Sequence, residues 1–307
     1  MSKKILVLDT TGCDWTDKNI ALHPNVNCEA IYTSMPLCFR VLRLIHLNTC
    51  FGGKKIWYGK WFARIKEYSC IIIFSDIKSV SIFKDIRASG YTGKLVYYYR
   101  DPIFRKRIKP SDIIKENCDV LIATFDQEDA KRYNLLFNPQ FYFRDNILNS
   151  CQYKYDAVFV GSDRGRLNDI KNMKELLDTA ALSSYFYVLK DKNKYYNEVD
   201  YIHSSPLSYN EIINLNRCSK SIVEINEQGQ VGMTVRAMEA LFLKKKLITN
   251  NHSIMNVSFY NKNNIFVVGK DDISTLKEFI DSKYVDIDDE IVEFYSFSSW
   301  LERIEKG

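Results

Sequence analysis

The stretch EQGQVGMTVRAMEALFLKKKLITNN, residues 227–251, runs from a polar, glycine-bearing loop through a helical pattern into a short strand. A loop that feeds a helix exposes amide donors at the positive end of the helix dipole, and that position favours anions. Gln230, Gly232 and Thr234 fall at this helix start, and Arg236 and Glu239 follow on the helix itself. A carboxylate about one turn inside such a helix can accept two vicinal hydroxyls, as a ribose offers, while phosphate oxygens take the amides. The same residues also read as a capped amphipathic helix, with Thr234 in the first turn and Glu239 on a solvated face.

A second stretch, FVGSDRGR (residues 159–166), supplies a similar site from the other direction. An apolar run ends in Gly161 and Ser162, and Arg164 and Arg166 then precede a helical segment. Glycine lets a backbone approach a ligand, and guanidinium groups form charge-assisted bonds to phosphate oxygens. The plain reading is a solvated turn with two surface arginines. The spacing matches neither GxxxxGK[ST] nor GxGxxG, which argues against a P-loop or a simple dinucleotide fold.

Around these two stretches the chain alternates apolar runs with helix-compatible segments. The runs are KILVLD (4–9), CIIIFSD (70–76), KLVYYYRD (94–101) and DVLIATFD (119–126), then YDAVFVGS (155–162), YFYVLK (185–190), KSIVEI (220–225), KLITNN (246–251) and NIFVVG (264–269). Near-continuous β-branched runs separated by helices indicate parallel sheets covered on both faces. At 307 residues the chain exceeds the usual domain of about 150. The expected organisation is therefore α/β with two Rossmann-like, doubly wound domains facing a cleft: 1–150, 151–285, and a closing segment 286–307. In open parallel sheets ligands bind beyond the carboxyl ends of strands, so the residues just after each strand carry the chemistry.

Taken together, FVGSDRGRL and QVGMTVRAMEALFLKKKLITN resemble the donor-binding domain of GT-B glycosyltransferases, over about residues 153–268. Within that family the pattern is closest to bacterial proteins of lipopolysaccharide or capsule biosynthesis. Gly232 matches the glycine that follows the first acid of the family's E-x7-E pattern, and Glu239 matches the second acid. The first acid is replaced by Val231, with Glu227 or Gln230 as possible substitutes. The resemblance implies that Glu239 binds ribose, that Arg164 and Arg166 bind the diphosphate, and that the Gly232 to Thr234 amides help hold it. It further implies a nucleotide-sugar donor as substrate, an acceptor-binding first domain, a last helix that crosses back to that domain, and neutralisation of the leaving diphosphate without a metal. The alternatives from the same architecture are a nucleotide-sugar epimerase and a non-catalytic subunit of a polysaccharide-assembly complex.

For an inverting transfer, Asp14, Asp76 and Asp101 are the candidate bases, since each stands at or beyond an expected strand end; each also suits a turn or cap. His23, His46, His203 and His252 form neither a metal spacing nor a triad. The net charge of +5 is too mild to make nucleic acid a partner. From Arg40 to Lys66, however, seven Lys and Arg stand with no Asp or Glu among Trp57, Tyr58, Trp61 and Phe62, a composition that suits the anionic inner face of the cell membrane and a lipid-linked or oligosaccharide acceptor. No run reaches the ~20 apolar residues of a membrane span, and no signal peptide is read. The eight cysteines show no CxxC pair and read as thiols of a cytoplasmic protein peripheral to the membrane.

Overall fold

The computed structural model describes residues 4–10, 15–49, 51–74, 77–116, 118–144, 151–192, 194–196 and 199–307. The chain divides into two compact units, 1–139 with 300–307 and 140–299.

In the first unit the strands are β1 (Ile5–Asp9), β2 (Val26–Ala30), β3 (Cys70–Phe74), β4 (Lys94–Tyr99), β5 (Leu121–Thr124) and β6 (Leu136–Phe137). Between them run α1 (Trp15–Ala21), α2 (Leu37–Leu47), α3 (Ser81–Ala88), α4 (Pro110–Ile114) and α5 (Gln127–Tyr133). The strands form one parallel sheet in the order β2-β1-β3-β4-β5-β6. β1 and β3 are buried along their whole length, as an interior parallel strand requires. β2, at the edge, is half exposed, so its polar sequence VNCEA gives no continuous apolar run to read. At the carboxyl ends of the strands, Arg100 pairs with the buried Asp9 at 2.6 Å and stacks over the Phe74 ring at 4.4 Å.

The second unit contains β7 (Tyr155–Ser162), α6 (Leu167–Thr179), β8 (Ser184–Leu189), β9 (Ile202–His203), α7 (Tyr209–Arg217), β10 (Ser219–Glu224), α8 (Val235–Phe242), β11 (Lys246–Thr249), β12 (Ile265–Val267), α9 (Leu276–Asp281) and α10 (Asp289–Phe294). Its sheet is again parallel, in the order β12-β11-β10-β7-β8-β9. That is the 3-2-1-4-5-6 order of a dinucleotide-type sheet, and its direction of winding reverses between β7 and β10. α8 is buried from Ala237 to Phe242, which explains its nearly all-apolar sequence.

The last helix, α11 (Phe297–Lys306), starts in the second unit, and its residues from Trp300 onward belong to the first. Within the first unit Trp300 is fully buried, edge-on to Tyr98 at 4.9 Å and to Phe74 at 6.2 Å. Asn138 ties the helix down: its Nδ2 donates to the Trp300 carbonyl at 3.1 Å, and its Oδ1 accepts from Arg303 Nε at 2.7 Å.

The cysteines are not all thiols. Cys151 and Cys218 form a disulfide that closes a 67-residue separation inside the second unit, and their Cα atoms are 5.2 Å apart. No short motif announces this pair; only the return of the chain at the start of β7 brings the two together, where the Lys154 amide donates to the Cys218 carbonyl at 2.8 Å. Cys38, Cys70 and Cys118 are free thiols, and Cys28 Sγ donates to Asp17 Oδ1 at 3.4 Å.

Two stability outcomes follow. Trp300→Ala should cost about 3–5 kcal/mol in urea denaturation, the range for deleting a buried tryptophan; a change near zero would remove the packing role given to it. Cys218→Ser should lower stability by about 2–4 kcal/mol under non-reducing conditions, as expected for opening a long loop, and should have no effect once the wild type is reduced.

Candidate functional site

The reversal between β7 and β10 places two loops side by side beyond the carboxyl ends of those strands. The first turns tightly. The Arg166 amide donates to the Asp163 carbonyl at 2.9 Å, and both central residues take left-handed backbone, Arg164 at φ 46° and Gly165 at φ 81°. Two consecutive positive φ values define a type I′ turn, easy for Gly165 and costly for Arg164. The turn is held from below by Asp163, whose Oδ2 accepts from the Tyr196 hydroxyl at 2.5 Å and from Lys194 Nζ at 3.0 Å. Burial works against its charge, but these two donors outweigh it and hold its carboxyl below the usual range. The Arg164 amide is fixed in turn by Asp191 Oδ1 at 3.0 Å.

The two arginines of this turn go separate ways. Arg164 is half exposed and reaches toward Glu227 of the neighbouring loop at 3.6 Å. Arg166 turns inward, where its guanidinium donates to the carbonyls of Ser162 and of Ile225, the residue just past β10. It laces the two strand ends together. Gly161 leaves room for it, since a Cβ there would stand 3.0 Å from the Arg166 guanidinium and 2.9 Å from the Phe159 ring.

The second loop begins at Glu224, the last residue of β10. Its buried carboxylate accepts from the Thr234 amide at 3.0 Å, the Thr234 hydroxyl at 2.7 Å and the Thr249 hydroxyl at 2.7 Å. Burial pushes its carboxyl up, against the pull of these donors. Thr234 also caps α8, accepting from the Arg236 amide at 3.0 Å. The loop between them turns at Glu227–Gln230, with Gly229 at φ 83° and the Gln230 amide on the Glu227 carbonyl at 3.0 Å. It is clamped by Asn226 Nδ2 to the Gln230 and Gly232 carbonyls, and by Ser253 Oγ to the Val231 carbonyl at 2.8 Å.

A cavity of about 530 Å³ opens beside this loop, walled by Asn226, Glu227, Gln230, Asn250, Asn251 and Ser253, with Asp169 of α6 at its edge. Such a lining of amides, a carboxylate and a hydroxyl offers paired donors and acceptors, the chemistry that recognises sugar hydroxyls or a nucleobase edge. The buried Asn226 Oδ1 has no hydrogen-bond partner among the described residues and awaits a donor.

Arg236 and Glu239 face the interior. Glu239 is fully buried and accepts from the Tyr209 hydroxyl at 2.5 Å, from Asn216 Nδ2 at 2.8 Å and from the Arg236 guanidinium. Arg236 Nε donates to the Val160 carbonyl at 3.2 Å, tying α8 under β7, and Tyr142 shares a 2.9 Å hydrogen bond with Tyr209. The carboxylate raises the Tyr209 hydroxyl further above its ordinary value, after burial as the first cause.

The candidate residues therefore divide. Gly161, Ser162, Arg164, Arg166, Gln230, Gly232 and Thr234 gather around the β7–β10 reversal; of these, Arg164 and Gln230 reach the solvent side, and the Thr234 amide is taken by Glu224. Arg236 and Glu239 lie beneath them. Asp101 in the first unit pairs with Lys106 at 2.6 Å, and Asp14 and Asp76 lie outside the described residues. His203 stacks flat on Tyr187 with ring centroids 3.8 Å apart. Sequence reasoning missed Asp163, Glu224, Asn226, Tyr209 and Asn216. For Glu224 a signal existed: an acid at the end of the buried run KSIVEI demands partners.

Arg166→Ala should destabilise the second unit by about 1.5–3 kcal/mol, because it strands buried carbonyls, while Arg164→Ala should change stability by less than about 1 kcal/mol. Chemical denaturation of both variants checks this, and equal costs would contradict the division of roles.

No family model and no curated protein sequence matches the chain. Solved structures do. Over 99% of its length it is similar to the lipopolysaccharide outer core galactosyltransferase WaaB in its apo form, at 11% identity, 98% of that chain and a TM-score of 0.54. Anabaena HepE in complex with UDP and glucose matches at 11% identity over 99% of this chain and 98% of that one, with a TM-score of 0.52. AviGT4, a glycosyltransferase involved in avilamycin A biosynthesis, matches at 7% identity, 99% and 96% coverage, and a TM-score of 0.53. At such identities the likeness speaks to architecture. With two parallel six-stranded α/β units in sequence, matched along nearly its whole length, the chain has the GT-B fold of glycosyltransferases.

Proposed function

We propose that this chain is a glycosyltransferase that moves a sugar from a nucleotide-sugar donor to a lipid-linked or polysaccharide acceptor, in the assembly of a cell-surface glycan such as lipopolysaccharide or capsule. The observation that carries the reading is the winding reversal between β7 and β10, with the half-exposed Arg164 on one loop and the amide-lined cavity of Asn226, Glu227 and Gln230 on the other. A cation beside a cavity rich in hydrogen-bonding groups suits a molecule with a phosphate at one end and hydroxyls at the other. Two proteins of similar fold support it through what is known of them: one is a lipopolysaccharide galactosyltransferase, the other was crystallised with UDP and glucose.

In this reading Arg164 neutralises charge on the departing diphosphate, a contact that strengthens as the sugar–phosphate bond breaks. Glu227 and Gln230 take the place of the acid missing at Val231, and Asn226 Oδ1 accepts a donor hydroxyl. The Arg236–Glu239–Tyr209 cluster fixes the start of α8 below the donor; a ribose reaches Glu239 by displacing the Tyr209 hydroxyl. Asp14, Asp76 and Asp101 remain the proposed bases on the acceptor side, and transfer proceeds without a metal.

UDP, GDP or another nucleoside diphosphate at 100 times its dissociation constant should stabilise the protein by about 2.7 kcal/mol, read as a thermal shift. Arg164→Ala should weaken that binding by about tenfold, the worth of one charge-assisted hydrogen bond. Absence of any shift across the nucleotides, or an unchanged affinity in the variant, would contradict the proposal. Incubating the donor alone separates transfer from epimerisation, since only the second converts the donor without an acceptor; EDTA should leave transfer intact.

A further inference from the structure

α2 is an inside-out helix. Of its eleven residues only Leu47 is buried. Leu37, Val41, Leu44 and Ile45, at spacings of four, three and one, form a single stripe, and all are exposed, Leu37 at 73%. Arg43 lies on the protein side instead, over the Tyr32 ring at 4.8 Å and donating to the Thr33 carbonyl at 2.9 Å, while Arg40 is exposed. Beyond the helix, Phe51 and Ile56 stand out at 71% and 67%. Phe39 and Leu42 are exposed as well. A contiguous apolar surface of this kind on a folded protein marks a place where something docks.

The aromatic residues that the sequence brings to mind for such a role are elsewhere. Trp61 and Tyr58 are core residues, Trp61 donating to the Ile31 carbonyl at 3.0 Å and Tyr58 to Asp85 at 2.7 Å. Trp57 is a strut: its Nε1 donates to His46 Nδ1 at 2.8 Å, so the other ring nitrogen of His46 donates to the Gly52 carbonyl at 3.0 Å. These bonds hold α2 and the 51–56 turn as one rigid surface with its apolar side chains outward.

The charge around this surface decides what it meets. Between Glu29 and Glu67 the chain carries no acidic residue, and Lys55, Lys60 and Lys66 are exposed beside Lys54. Lysines are depleted from protein interfaces but flank helices that lie in a lipid headgroup layer. We propose that α2 and the 51–56 turn insert into the interfacial layer of an anionic bilayer, with Leu37, Val41, Ile45, Phe51 and Ile56 among the acyl chains and the lysines at the headgroups. This stands on the first unit alone and holds whether or not the chain transfers sugar.

The full chain should co-sediment with vesicles rich in phosphatidylglycerol and far less with phosphatidylcholine alone. The double variant Leu37→Ser/Ile45→Ser, altered only at exposed positions, should lose about tenfold in partition, and Lys54→Glu/Lys55→Glu should lose a similar amount on the anionic vesicles only. Nucleotide binding serves as the check that the variants are folded and as the separate test of the donor site. Undiminished partition in the apolar variant overturns the proposal. So does a wild type that ignores vesicles yet forms a dimer which Leu37→Ser/Ile45→Ser dissolves in sedimentation analysis.

Discussion

The carboxylate of Glu224 joins three elements of the second sheet at one point. It ends β10, receives the amide and hydroxyl that open α8, and receives the hydroxyl of Thr249 that ends β11. A carboxylate out of water is costly unless its lone pairs are met, and here three donors converge on it. The helix start is thereby fixed, and the nine residues 225–233, between Glu224 and Thr234, must arch above the strand ends. That arch is the wall of the cavity with Asn226, Glu227 and Gln230. The site owes its shape to a residue that no ligand needs to touch.

The same economy governs the charges nearby. Arg166 and Arg236 satisfy strand-end carbonyls, and Glu239 is saturated by Tyr209, Asn216 and Arg236. Buried ionic groups persist when each is paired and hydrogen-bonded, and such networks fix a unique arrangement of the elements they join. Arg164 differs because its backbone is forced into the left-handed region by the type I′ turn, and that geometry throws its side chain outward. Two arginines two residues apart thus do opposite work, one as a brace and one as a reachable cation.

The first unit obeys a different constraint. Its core is completed by Trp300 and Ile304 from the end of the chain, which pack where β3 and β4 present Phe74 and Tyr98. To the other buried cluster of this unit, built on Ile71, Ile73, Tyr97 and Tyr99, α2 contributes only Leu47, and the helix is held by Arg43, His46 and Trp57 rather than by its apolar stripe. The stripe is left exposed.

Much of this was legible beforehand, and for plain reasons. Interior parallel strands must be continuously apolar, so KILVLD, CIIIF, KLVYYY, DAVFV and KLIT announced two α/β sheets, and the glycines of FVGSDRGR and EQGQVGM marked the loops at the winding reversal. Periodicity also put Phe297, Trp300, Leu301 and Ile304 on one side of the last helix, and all four are buried. What the amino-acid order left open was direction and partnership: which arginine looks out, which acid is sealed in, which cysteines meet, and that the aromatics of 57–62 serve as core and strut while the aliphatics of 37–45 face outward. Side-chain orientation depends on contacts between residues far from one another along the chain, 59 positions for Arg166 with Ile225 and 11 for Trp57 with His46. Local pattern fixes the elements because it acts within a strand or a turn; only packing in three dimensions assigns each charged group its neighbour.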